Sequence, residues 1–220
     1  MDVSKPFRIK VSGPNACFTR PEMKVERVSY DVMTPSAARG ILEAILWKPA
    51  MSWRILQIDV LNPIRWESVR RNEVGKTVVK PSVAVMKGEA AKPLGLFIED
   101  ERVQRAGLFL RDVAYVIHAE LHLTERAGDG DTVTKFTEMF IRRASKGQCF
   151  HRPYFGCREF PVDFELIPRD SESPASIDLT KDLGWMLFDL DFSGPEPMPM
   201  FFHAHLESGV LDLRNVEVRS

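Results

Sequence analysis

The 220-residue chain predicts an α+β fold, with helices on one face of a mainly antiparallel sheet and a smaller sheet after it. Three observations carry this reading. Several short runs alternate apolar and polar residues, two segments repeat apolar residues at helical spacing, and apolar runs such as 108–110 span only a few residues. Residues 7–11, FRIKV, read as a half-buried first strand, ended by a bend around Gly13 and Pro14. Thr34 is a good N-cap and Pro35 fits the first helical position. Ala38, Ile41, Leu42, Ile45 and Leu46 then recur on one helical face, until Lys48-Pro49 ends the helix.

Residues 53–61 and 64–71 read as strands joined at Asn62-Pro63, hence a hairpin. Residues 72–105 have weak periodicity, scattered lysines and three glycines, and read as a long, at least partly mobile insertion. The clearest strand is 113–123, with Val113, Tyr115, Ile117, Ala119, Leu121 and Leu123 on one face and His118, Glu120 and His122 on the other. A second helix spans 132–146, with Phe136, Phe140 and Ala144 along one stripe and Gly147 as its stop. Residues 156–166 supply another strand. The order matches a split βαβ, ferredoxin-like (RNA-recognition-type) domain over residues 1–168 with an inserted hairpin and loop. Strands at 184–192, 200–206 and 210–213 predict a small antiparallel β-sheet domain over 169–220.

Hydrophobic residues make up 44% and charged residues 28%, enough for a sizeable core. No apolar run approaches the ~20 residues of a membrane span, so no membrane partner is expected. The N-terminus lacks the apolar core of a signal peptide, and a cytoplasmic location is the expectation. Cys17, Cys149 and Cys157 lack CxxC spacing and read as reduced, partly buried thiols, with no metal or other cofactor expected. The net charge of −1 conceals a division: residues 159–220 hold 4 Lys+Arg against 13 Asp+Glu, leaving 26 against 18 before them. A basic body is the footprint expected for a polyanion, although the two parts could simply neutralise each other.

The densest basic stretch is 135–158, where Lys135, Arg142, Arg143, Lys146, Arg152 and Arg158 face a single acid, Glu138. Phe150, His151, Tyr154 and Phe155 are interleaved with them. Cations reach phosphates and aromatic faces stack unpaired bases, so Arg142, Arg143, Lys146, Arg152, Tyr154 and Arg158 are candidate RNA contacts. Arg70 and Arg71 add a second basic ridge. A solvated helix face followed by aromatic core residues would give the same pattern. His118, His122 and Glu120 share a strand face that could hold a metal or simply face RNA.

Residues 16–49, together with VRRNEV (69–74), RRASKGQCF (142–150) and GCREFP (156–161), resemble in wording and order the CRISPR-associated Cas5 family, Dvulg subtype. The resemblance implies a type I-C subunit that cuts precursor CRISPR RNA at the repeat hairpin without an essential metal. It would then stay on the 5′ handle of the guide RNA, beside the backbone and large subunits of the effector complex. The adjacent ribose 2′-hydroxyl would be the nucleophile, leaving a 2′,3′-cyclic phosphate. Many relatives are expected to carry a tyrosine late in the first helix and a Lys-His pair opening the second. Those positions are here Leu46 and Lys135-Phe136, so only Lys135 matches. His151 and, after it, Tyr30 are the candidate replacement bases. The alternative is a weakly catalytic or non-catalytic subunit that caps the guide RNA; the basic surface also permits binding of duplex DNA.

Overall fold

A computed structural model describes residues 3–23, 25–89 and 95–220. In chain order the elements are β1 (Phe7–Ala16), α1 (Pro35–Ile45), β2 (Met51–Val60), β3 (Trp66–Val74), the helical turns α2 (Val83–Met86) and α3 (Ile98–Glu101), and β4 (Arg102–Leu123). They continue with α4 (Val133–Ala144), β5 (Asp163–Ile167), β6 (Lys181–Asp191), β7 (Met198–Leu206), β8 (Val210–Asp212) and β9 (Val218–Arg219). The large sheet has the order β5-β1-β4-β2-β8, with β3 on the other half of β4; β6, β7 and β9 form a second sheet. Every pairing between these strands is antiparallel.

β4 organises the large sheet. Its 22 residues pair with β1 on one edge, and with β3 and then β2 on the other. The hairpin expected between 53–61 and 64–71 is therefore not one. β2 and β3 run in the same direction, and each pairs with a different half of β4. The change of partner falls at Asp112, a non-glycine residue with φ of 52°. Asp is among the residues that tolerate this left-handed region. The Asn62 amide donates to its carbonyl at 2.9 Å, and Arg65 pairs with its carboxylate at 3.0 Å.

Three further boundaries differ from expectation. β1 runs straight through Gly13 and Pro14, because β5 flanks it only as far as Ser12 and Pro14 lies where that edge is unpaired. The strand expected over 156–166 begins at Asp163; Gly156 has φ of 75°, and the Phe155 and Val162 N–H groups close a turn onto Phe160 and Pro153. Both ends of the expected insertion are strand, since Val74 pairs with Arg102 and Asn72 with Gln104. Mobility expected at residues 90–94 concerns positions outside the described residues.

The helices form as their caps dictate. Thr34 Oγ1 accepts from the Ala37 N–H at 3.3 Å, and Thr132 Oγ1 from the Lys135 N–H at 3.1 Å. Ala38, Ile41, Leu42 and Ile45 of α1 and Phe136, Phe140 and Ala144 of α4 are buried in one core with Phe7, Ile9 and Val11. At its centre the Phe140 ring lies 5.0 Å from Phe7 and 4.6 Å from Trp53. Both helices thus share one face of the sheet. On the opposite face His118 pairs with Asp59 at 2.7 Å and His122 with Glu120 at 2.8 Å.

The second sheet docks beside α1, where Arg39 makes two hydrogen bonds to Asp189 at 3.0 and 2.7 Å. β8 departs from the expected C-terminal meander: it pairs with β2, where Leu211 lies opposite Ile58 and is buried. Among the described residues no helix is long and apolar enough to cross a membrane.

Candidate nucleic-acid interface

The basic, aromatic segment predicted at 135–158 is built from α4 and the loop after it. That loop returns along α1. The Phe150 N–H donates to the Ala44 carbonyl at 2.8 Å, near the end of α1, whereas Tyr154 and Gly156 reach its beginning. There, with Thr19, Thr34, Ser36, Gly40 and Leu187, they line an open cavity of about 400 Å³.

Around the end of α1 the surface suits an unpaired nucleotide. Phe150 is 85% exposed, Trp47 is 54% exposed, and the His151 ring stands edge-on to Phe150 at 5.9 Å. Arg142 and Lys146 are exposed on α4 and just past it, and neither makes an ion pair with a described residue. Exposed aromatic faces beside free cations are what stacking and phosphate neutralisation require. Trp47 was not singled out from the sequence. It lies off the apolar stripe of the first helix, and that offset was its only signal.

Other predicted contacts have protein partners. The Arg143 guanidinium donates to the Ile45 carbonyl at 2.8 Å, satisfying an acceptor that the end of α1 leaves open. Arg71 pairs with Glu159 and lies 4.7 Å over the Phe109 ring. Arg152 pairs with Asp163. Arg70 and Arg158 are exposed and make no ion pair among the described residues. The pull of Arg71, and then of Arg27, holds the Glu159 carboxyl below its usual value despite partial burial.

The candidate catalytic side chains do not converge. Lys135, half exposed, donates to Asp131 at 3.0 Å and to the Gly130 carbonyl at 3.1 Å. Asp131 is held low chiefly by that lysine, with Lys48, just past α1, adding to the effect. His151 is exposed beyond the other end of α4, roughly 14 Å of helix away at ~1.5 Å per residue. Tyr30 is 1% exposed, and burial pushes its phenol up while the Leu187 N–H hydrogen-bonds it. Arg20 covers its ring at 4.5 Å, so Tyr30 anchors the bend before α1 and does not face a substrate. Leu46 and Phe136 are both in the core; Leu46 also accepts a hydrogen bond from the Trp53 indole at 3.0 Å through its carbonyl. Among the described residues no three His, Cys, Asp or Glu side chains gather as a metal site.

Two features had no local sequence signal. Arg27 bridges Glu73 at 2.6 Å and Glu159 at 2.8 Å, and Glu73 also meets Arg105. This network ties the distal half of the β3–β4 arm to the loop carrying Arg158. Beside it, Cys157 meets Cys17 from 140 residues away.

The family profile described as CRISPR-associated protein (Cas_Cas5) matches residues 7–214. A relative from Mannheimia succiniciproducens, named CRISPR pre-crRNA endoribonuclease Cas5d, is 54% identical over 212 residues, which is 94% of either chain. One of the same name from Thermus thermophilus is 44% identical over 225 residues, covering 94% of this chain and 90% of that one. A solved CRISPR-associated protein superposes with a TM-score of 0.72 at 23% identity, covering 100% of this chain and 99% of the other; that likeness concerns the fold alone.

Proposed function

The chain belongs to the CRISPR-associated Cas5 family, and from that premise we propose that it is a pre-crRNA endoribonuclease of the Cas5d kind. It cuts the repeat hairpin and stays on the 5′ handle of the guide RNA as a subunit of a type I-C effector complex. The observation that carries this reading is the surface at the end of α1, where Trp47, Phe150 and His151 are exposed and Arg143 brings in the end of α4, on which Arg142 and Lys146 are exposed. The order β5-β1-β4-β2, with α1 and α4 on one face, supports a split βαβ, ferredoxin-like arrangement over residues 1–168, to which β8 returns from the second, smaller unit of 169–220.

Cleavage by the ribose 2′-hydroxyl asks little of the protein. The nucleotide must be splayed so that the hydroxyl attacks in line, a proton must move, and charge on the phosphorane must be offset. Stacking on Phe150 and Trp47 supplies the first requirement. His151, exposed and without a side-chain hydrogen bond to a described residue, supplies the proton transfer. At the scissile group the exposed Arg142 and Lys146 offset the charge, while Lys135, at the other end of α4, holds a more distant phosphate once that phosphate displaces Asp131 from its ammonium.

The buried Leu46 and Phe136 favour a second reading, in which the same surface caps the guide RNA and cuts slowly or not at all. One experiment separates the two. Labelled repeat RNA is incubated with pure protein and chelator, and the products are resolved on a denaturing gel. Cleavage that disappears when the scissile 2′-hydroxyl is replaced by hydrogen, and falls at least ~100-fold in His151→Ala with binding retained, is the expected outcome. Tight binding without a product band would leave only the capping role.

A further inference from the structure

Cys17 and Cys157 lie far apart in sequence, and the fold presses their backbones together. The Cys17 N–H donates to the Phe155 carbonyl at 3.1 Å, and a Cβ at Gly156 would fall 2.0 Å from the Cys17 carbonyl oxygen. Only glycine, here at φ of 75°, fits that approach. Cys157 Sγ is consequently 3.8 Å from the Cys17 carbonyl oxygen, which sets the two thiols beside each other. Cys17 is fully buried and also touches Thr19 Oγ1 at 3.3 Å, whereas Cys157 is partly exposed. Arg27 Nη1 lies 4.0 Å from the Cys157 sulfur.

We propose that Cys157 and Cys17 form an oxidant-reactive dithiol that takes small peroxides, with Cys157 as the attacking thiolate and Cys17 as the resolving thiol. Its product is a disulfide clipping the loop of residues 150–158 to the end of β1. In the first step the Cys157 thiolate attacks one oxygen of hydrogen peroxide. The O–O bond breaks, a Cys157 sulfenic acid forms and hydroxide leaves, so sulfur is oxidised and peroxide reduced. In the second step the Cys17 sulfur attacks the Cys157 sulfur. The S–O bond breaks, and the departing hydroxide leaves as water with the Cys17 proton.

The surroundings divide these roles. The hydrogen bond from Cys17, and then Arg27, bring the Cys157 thiol down to about 6 against the effect of burial. The same hydrogen bond, with burial, pushes Cys17 well above the ordinary thiol range, so it remains protonated. The charged groups around the pair are Arg27, its partners Glu73 and Glu159, and behind these Arg71 and Arg105. Cys149 is the internal control: it is half-buried against the core and has no thiol partner among the described residues.

The test uses the reduced full-length chain, equimolar hydrogen peroxide at pH 7, and non-reducing peptide mapping by mass spectrometry. The expected product is lighter by two hydrogens, joins the Cys17 and Cys157 peptides, and leaves Cys149 free. In Cys17→Ser the reaction should stop at a sulfenic acid on Cys157, trapped by dimedone. Should that variant fail to fold, the unmodified chain still decides, because iodoacetamide should label Cys157 at least ~10-fold faster than Cys149 at pH 7. Equal labelling of the two, linkage through Cys149, or a Cys157 sulfenic acid that persists while Cys17 stays free would each overturn the proposal. None of these readouts depends on RNA.

Discussion

Arg142 and Arg143 are neighbours on one helix with different tasks. Arg142 is exposed, whereas the Arg143 guanidinium is spent on the Ile45 carbonyl at the end of α1. A charged hydrogen bond to a buried carbonyl is worth about 1.5–3 kcal/mol. Arg143→Ala is therefore expected to lower the unfolding free energy in urea by about that much. Arg142→Ala should leave stability within ~0.5 kcal/mol and weaken RNA binding instead. The reverse pattern, with Arg142 costing stability and Arg143 only affinity, would refute the assignment. The same division applies to Arg70 and Arg71, of which only Arg71 is tied to Glu159 and Phe109. Residue type announced a cation at each position; the partner within reach decided its use.

At the scale of elements, β4 is the spine and the distal half of the arm it forms with β3 is braced by Arg27, Arg71, Arg105, Glu73 and Glu159. Arg71 and Arg27 hold the folded Glu159 carboxyl below the ordinary glutamate value of 4.5. A carboxyl depressed on folding stabilises the native state fully above that ordinary value, and loses the contribution as pH falls through its folded value. Thermal unfolding followed from pH 7 to pH 3 should show Glu159→Gln less stable than the parent at neutrality. The gap should then close progressively below about pH 5. A gap independent of pH would mean that packing, not charge, fixes the arm. The same scale holds the clearest surprise, the kink at Asp112. Alternation marked 113–123 as strand, yet carried no sign that the strand continues back to Arg102 beyond a left-handed residue.

For the whole molecule, the charge division visible in the sequence has a partly internal destination. Asp189 binds Arg39, Asp163 binds Arg152, and Glu159 binds Arg27 and Arg71, so acids of the C-terminal region neutralise part of the basic body. Of the predicted RNA contacts, Arg70, Arg142, Lys146 and Arg158 stay exposed and without an ion pair to a described residue, and the aromatic side chains at the end of α1 are exposed as well. Each cation that meets a phosphate should contribute ~0.7 to the slope of log affinity against log salt concentration for a single strand. Replacing Arg142 and Lys146 together is expected to reduce that slope by roughly 1.4, with binding measured by fluorescence anisotropy across a salt series. An unchanged slope would move the RNA path away from the end of α1.

What is settled within one helical turn or one strand pleat was legible in the residues alone. They marked both helices, the first with its cap at Thr34, the alternating faces of β1 and β4, and the family to which the four matching blocks point. These are local signals, because capping and side-chain periodicity involve residues a few positions apart. Strand order and core packing fixed that Arg143 and Arg71 are engaged while Arg142 and Arg70 are free, that Tyr30 is buried, that β2 and β3 follow one another along β4, and that Cys17 meets Cys157. Those meetings join residues far apart in the chain, 140 positions in the case of the two cysteines. Composition and spacing cannot encode them.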